Sequence, residues 1–222
     1  MMKVQSSTVP SITIESNSNT AIRDAEHALA KIASQPNGNA LLSGLNNFSQ
    51  SGKRVKIFVA PRGGNMRNAT MPVDDIDSPG EDNRNAMKNA SKSSLGFKGK
   101  GASAIVEWNP SKSLALNAAG EPVGHTQDTS KAYLSLAHEL VHAYRITKGT
   151  YTGGSGTEGF QPGTRAAEEE LRATGLDKWA DEPISENGIR AEHGEPPRRA
   201  YPLSRDRGDQ VAEFDPTATY RG

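Results

Sequence analysis

In the stretch AHELVHAYR, Ala137 to Arg145, two histidines stand four residues apart and a glutamate directly follows the first. On a helix, that spacing puts His138 and His142 on one face, a turn apart, so both imidazoles can reach one ion while Glu139 sits beside it. Such a set suits zinc chemistry, in which the ion activates a water molecule and the glutamate moves its proton. Scattered by composition alone, the pattern would arise about 0.01 times per chain. Tyr133, Leu136, Ala137, Leu140 and Tyr144 are its apolar neighbours. The helix is therefore expected to be buried on most sides, and its histidines to need partners.

A catalytic zinc takes three protein ligands and keeps a fourth position open for water. The chain has no cysteine, so the third ligand must be a histidine or a carboxylate. TRAAEEELRATG, Thr164 to Gly175, reads as a second helix, capped by Thr164 and stopped by Gly175. Arg165, Glu168, Glu169 and Arg172 share one face and are expected to form a solvated ion-pair stripe. Ala166, Ala167, Glu170, Leu171 and Thr174 face inward. A carboxylate among small apolar side chains is costly unless it is paired or metal-bound, so Glu170 is the expected third ligand. Glu168, Glu169 and an aspartate such as Asp177 or Asp181 stay open as alternatives. The extended metzincin pattern is excluded, because Arg145 and Lys148 stand where it requires glycine and histidine.

The elements that must hold these residues are fewer and plainer. TAIRDAEHALAKIAS spaces Ile22, Ala25, Ala28, Leu29 and Ile32 along one helical face, with Thr20 as a possible cap. Lys53–Ala60 reads as a half-buried strand and Ala102–Pro110 as a second strand stopped by proline. The motif helix starts at Asp128 or Thr129 and runs to about Thr147. Between Pro61 and Gly101 the composition of Gly, Asn, Asp, Ser and Lys predicts a long mobile loop region with a short helix near Asn85–Ala90.

Composition bounds the rest. At 222 residues, with 34% hydrophobic residues and a mean hydropathy of -0.67, the chain supports one modest core. Lys+Arg and Asp+Glu balance at 26 each. That argues against nucleic acid or an anionic membrane as a main partner. No apolar run approaches the ~20 residues of a membrane span, and the start lacks the pattern of a secretory signal peptide. Residues 1–19 are rich in Ser, Thr and Asn and are expected to be a disordered segment, compatible with a secretion signal. Residues 20–222 then form a single domain.

HELVHAYR, EEELRATG and SENGIRAEHGEPPRRAY, taken in that order, resemble the zinc metallopeptidase effectors of the NleD and XopG-like family, which bacterial pathogens inject by type III secretion. A more distant resemblance is to clostridial neurotoxin light chains. It implies that Glu170 matches their third zinc ligand, that Arg198 and Tyr201 match an Arg-x-x-Tyr pair facing the substrate carbonyl, and that Glu186 matches an acid that orients the site. The fold implied is α+β and zincin-like, a small sheet whose edge strand, taken as Ala104–Trp108, lies over the HExxH helix, with a second glutamate-bearing helix beside it. The implied activity is that of a gluzincin-type zinc endopeptidase, cutting a host protein by zinc-activated attack of water on a peptide bond. A host signalling protein is the expected substrate, with mitogen-activated kinases as the family precedent, and a monomer is favoured. The alternative is a non-catalytic module that binds a host protein and holds a structural zinc.

Overall fold

The computed structural model describes residues 1–80, 82–93, 95–126, 128–153, 161–202 and 219–221. In chain order the elements are β1 (Met2–Gln5), β2 (Ile12–Ser16), α1 (Asn19–Ala33), α2 (Pro36–Ser49), β3 (Val55–Val59), β4 (Ala69–Val73), α3 (Arg84–Ala90) and β5 (Ser103–Trp108). They are followed by β6 (Ser113–Leu116), β7 (Pro122–Thr126), α4 (Ala132–Lys148), α5 (Arg165–Thr174), α6 (Glu186–Glu192), β8 (Ala200–Pro202) and β9 (Thr219–Arg221). The architecture is mixed α+β around a small five-stranded sheet ordered β1-β2-β3-β5-β4. Strands β2, β3 and β5 run parallel, and β1 and β4 close the two sides antiparallel. Among the described residues no helix is long and apolar enough to cross a membrane.

The central strands form because their partners are non-local. Val55, Ile57 and Val59 of β3 are buried, as a strand covered on both faces requires. Lys56 on its other face is tolerated because its ammonium pairs with Glu15 at 3.0 Å. Helix α4 lies against this sheet as the central element: fourteen of its seventeen residues are buried. Trp108 at the end of β5 donates its indole N–H to Ala132 O at the start of α4, fixing strand to helix. Gly149, at φ 75°, ends α4 in the left-handed conformation glycine adopts without penalty, and its N–H reaches back to Arg145 O and Ile146 O.

The structure corrects several expectations. Residues 1–19 are not an unfolded segment: β1 and β2 lie in the sheet, and Ile12 and Ile14 are fully buried. The serines and threonine that lowered their apparent hydrophobicity are satisfied locally, since Ser6, Ser7 and Thr8 all bond the Glu26 carboxylate. Ala104–Trp108 is not an edge strand, because β5 is flanked by β3 and β4. The edge on that side is β4, within the region read as a loop near 61–101, while the short helix expected near Asn85–Ala90 is α3. Helix α1 is capped by Ser18 rather than Thr20.

The register of β4 decides what its free side offers. Ala104 donates its N–H to Arg54 O, towards β3, so its main-chain groups turn away from β4. The residue opposite Ala104 is Pro72, which therefore faces the open side, as does Thr70 two residues earlier. Proline has no N–H to lose there, the position at which an edge strand accepts it.

Candidate metal centre

The two histidines of α4 and the glutamate of α5 converge. His138 Nε2 lies 3.0 Å and His142 Nε2 3.3 Å from one oxygen of Glu170. The two Nε2 atoms are 3.2 Å apart. Among the described residues this trio is the group able to share a metal ion. The other ring nitrogens are occupied: His138 Nδ1 meets Glu186 at 3.0 Å and His142 Nδ1 meets Glu169 at 3.5 Å. With Nδ1–H donated to its carboxylate, the neutral form of each ring turns its Nε2 lone pair towards the same point.

These residues fit zinc. At bond lengths of ~2.0–2.1 Å and tetrahedral angles, ligand atoms lie about 3.3 Å apart, the separation found between these donors. The charge also fits. The carboxylates of Glu139, Glu169, Glu170 and Glu186 outnumber the three guanidinium groups packed among them, Arg145, Arg190 and Arg198, so the site favours a cation.

Helix α5 explains how adjacent glutamates do different work. Thr164 caps it by accepting from Ala167 N–H, and Gly175 ends it at φ 81°. Glu170 reaches the Nε2 side of the histidines. Glu169 lies beside the Nδ1 of His142, where it also pairs with the Arg145 guanidinium and accepts from Thr152 N–H at 2.8 Å. Its placement on a solvated stripe is thus corrected: Glu169 is 1% exposed, because α5 crosses α4 closely enough for neighbouring glutamates to straddle one imidazole. Burial alone would raise its pKa, but His142 and Arg145 outweigh that and hold it down at about 2. Glu168 does remain outside, paired with Lys178.

Glu186, at the start of α6, is buried and salt-bridged to Arg190 at 2.8 Å and Arg198 at 3.0 Å while it holds His138. Arg198 stacks its guanidinium 4.5 Å from the centre of the Tyr201 ring. Tyr201 lines the cleft, but Arg198 sits behind it, 6% exposed and bound to Glu186 and Ala200 O, rather than facing a substrate. Glu139 accepts from Thr70 Oγ1 of β4 at 2.7 Å, and burial pushes its carboxyl above the usual carboxylate range. Burial and the nearby Glu170 carboxylate raise the Tyr201 hydroxyl well above its ordinary value, so it stays protonated as a donor. Tyr151 also lines the cleft, its ring 6.2 Å from that of His142.

Arg145, Thr70 and Tyr151 escaped the sequence reading, and Glu169 entered it only as an ion-pair residue or an alternative metal ligand. Arg145 had a signal: it follows His142 by three residues on the same face of an apolar helix, where a guanidinium must be paired. The cleft over the histidines measures about 1140 Å³ and is bordered by β4, α3, the segment after α3 and α5. The loop between Gly149 and Gly163, whose glycine content suggests a gate over the cleft, has its residues 154–160 outside those described.

Without metal, burial would lower the imidazoles, but the hydrogen bonds that His138 donates to Glu170 and Glu186 win and raise it to about 9. His142 is raised likewise. Because the folded value exceeds the ordinary one of about 6.5, the protonated histidine stabilises the metal-free protein fully below that pH, and this contribution disappears as pH rises through about 9. Zinc needs the neutral rings, so its uptake at pH 7 should expel protons, and its affinity should rise with pH across that window. Calorimetry in buffers of different ionisation enthalpy measures the released protons; a heat independent of buffer would mean that the rings are already neutral before the metal binds.

Two histidines of one buried helix and a carboxylate of the next thus gather beneath an open edge strand as a group able to hold a metal ion. Residues 11–201 match the Peptidase_M91 family, described as effector protein. The chain belongs to this peptidase family of effectors. No curated protein matches it by sequence. Among solved structures it is similar to the catalytic domain of Clostridium botulinum neurotoxin serotype F, at 14% identity and a TM-score of 0.44, over 77% of this chain and 46% of that one. It is also similar to the botulinum neurotoxin serotype HA light chain, at 17% identity and a TM-score of 0.40, over 61% of this chain and 37% of that one. The chain thus spans less than half the length of either.

Proposed function

We propose that this effector is a zinc metalloendopeptidase that cuts a host protein, with His138, His142 and Glu170 holding the metal. The observation that carries the reading is the convergence of two Nε2 atoms and one carboxylate oxygen beside Glu139, at the floor of a cleft bordered by a free strand edge. Three donors at an open cleft fit a catalytic site better than a closed structural one, which takes four.

Zinc bound there would supply Lewis acidity, polarising the scissile carbonyl and acidifying water. Thr70 turns its backbone N–H and C=O to the open side of β4, and a substrate laid along that edge as an added strand would be aligned by them. Glu139 takes a proton from the attacking water and delivers it to the leaving amine nitrogen; the raised pKa of its carboxyl suits both transfers. The neutral Tyr201 hydroxyl donates to the carbonyl oxygen as negative charge builds on it. Glu186 and Glu169 are positioning residues that fix the imidazoles, and Arg198 positions both Glu186 and the Tyr201 ring.

The finer reading is that the chain falls in the NleD and XopG-like group, is delivered by type III secretion and acts on a host signalling protein, with mitogen-activated kinases the precedent. It is supported by the order of the three motifs between Ser130 and Tyr201. The purified protein should contain about one zinc per chain. Chelation should abolish cleavage of proteins in a host lysate, and added zinc should restore it. Cleavage that continues after complete metal removal would sink the proposal.

A further inference from the structure

The cleft is charged out of proportion to the chain. The protein as a whole is electrically balanced, and among the described residues the carboxylates lining the cleft are Glu139 and Glu170 at its floor. Around them stand Arg67 just before β4, Lys88 on α3, Lys92, Lys98 and Lys100 on the following segment, and Arg165 at the start of α5. All six are exposed. Among the described residues none of the six has a carboxylate partner, whereas Arg84 in the same wall is held by Asp82. Several exposed cations away from the cleft are paired: Lys3 and Arg54 with Asp77, Arg62 with Asp24 and Lys178 with Glu168.

The six come from separate elements and meet at one opening, so they are not the solvated face of a single helix. A divalent ion held at the floor would balance the two carboxylates there and leave the rim positive. Like charges around a concave, poorly solvated wall focus the potential and raise the local concentration of an oppositely charged ligand.

We propose that the cleft selects polypeptide segments carrying several aspartate or glutamate side chains around the residue placed over Glu139. The proposal rests on the peptidase reading and adds the substrate class to it. A polypeptide fits better than a nucleic acid or a lipid surface. The outward N–H and C=O of Thr70 complement a peptide backbone, and the six cations ring a concave cleft rather than the broad face a duplex or a membrane would lie on.

The test uses the zinc-loaded Glu139→Gln protein and two labelled peptides of about a dozen residues, identical except that Asp and Glu in one become Asn and Gln in the other. Fluorescence anisotropy should show the acidic peptide binding roughly tenfold tighter or more at low salt. The advantage should shrink as added salt shortens the screening length to about 10 Å and below. The triple variant Lys88→Glu, Lys92→Glu, Lys100→Glu should lose that preference while binding the neutral peptide as before; circular dichroism confirms its fold. Equal affinity for the two peptides overturns the proposal, and so does tighter binding of an oligonucleotide of equal charge. Cleavage by the unsubstituted protein is scored separately. An acidic peptide that binds preferentially but is never cut supports the acidic-segment proposal and tells against the peptidase reading.

Discussion

Glu139→Gln should keep its zinc and lose its activity, with kcat down by about 10²–10⁴-fold, the usual share of a positioned acid–base group. The expectation follows from where the side chain sits. Glu139 is on the metal-binding helix but its carboxylate turns to Thr70 of β4 at 2.7 Å, not to the point where the two Nε2 atoms and Glu170 meet. The amide can still accept from Thr70, so neither the fold nor the histidines should move. What it cannot do is take up a proton. Metal analysis beside peptide cleavage reads both halves of the result. A glutamine variant that cleaves normally would remove Glu139 from the chemistry and shift the base to another group.

Glu170→Ala should reduce bound zinc from about one per chain to a small fraction under conditions that saturate the unsubstituted protein. Two imidazoles alone leave the ion with half a tetrahedral shell, and the alanine side chain brings no replacement. The informative companion is Glu169→Gln, because Glu169 is the nearest rival ligand. Its oxygens are engaged by Arg145 and Thr152, and it approaches His142 from the Nδ1 side. Its substitution should therefore weaken zinc by only about 10–100-fold, the range for a partner that orients a ligand. Full occupancy in Glu170→Ala with loss in Glu169→Gln would reverse the assignment.

The parts of the site legible in the sequence were those governed by local rules. The spacing of His138 and His142, the Thr164 cap and the Gly175 stop are properties of a single helix, and each appears where expected. Glu169 was misread because periodicity locates a face but not what packs on it. That the two adjacent glutamates both turn inward depends on how α5 crosses α4. Strand β4 was missed for a similar reason. ATMPV contains a proline and becomes a strand only once β5 supplies its ladder. Helix α2 has weak intrinsic propensity, with two glycines and four asparagines in fourteen residues. It is held by burial of Leu41, Leu42 and Leu45, and Gly44 permits the approach to α4, since a Cβ there would lie 2.5 Å from the Tyr144 ring.

Pro72 has a consequence beyond substrate alignment. A sheet margin left bare for one visiting chain is equally an invitation to identical molecules, which could stack margin to margin into insoluble ribbons. With no hydrogen at Pro72 to extend the ladder past Thr70, a visitor gains one short register of bonds and then meets a gap. The protein can thus keep its margin bare for passing polypeptides without serving as a template for its own copies.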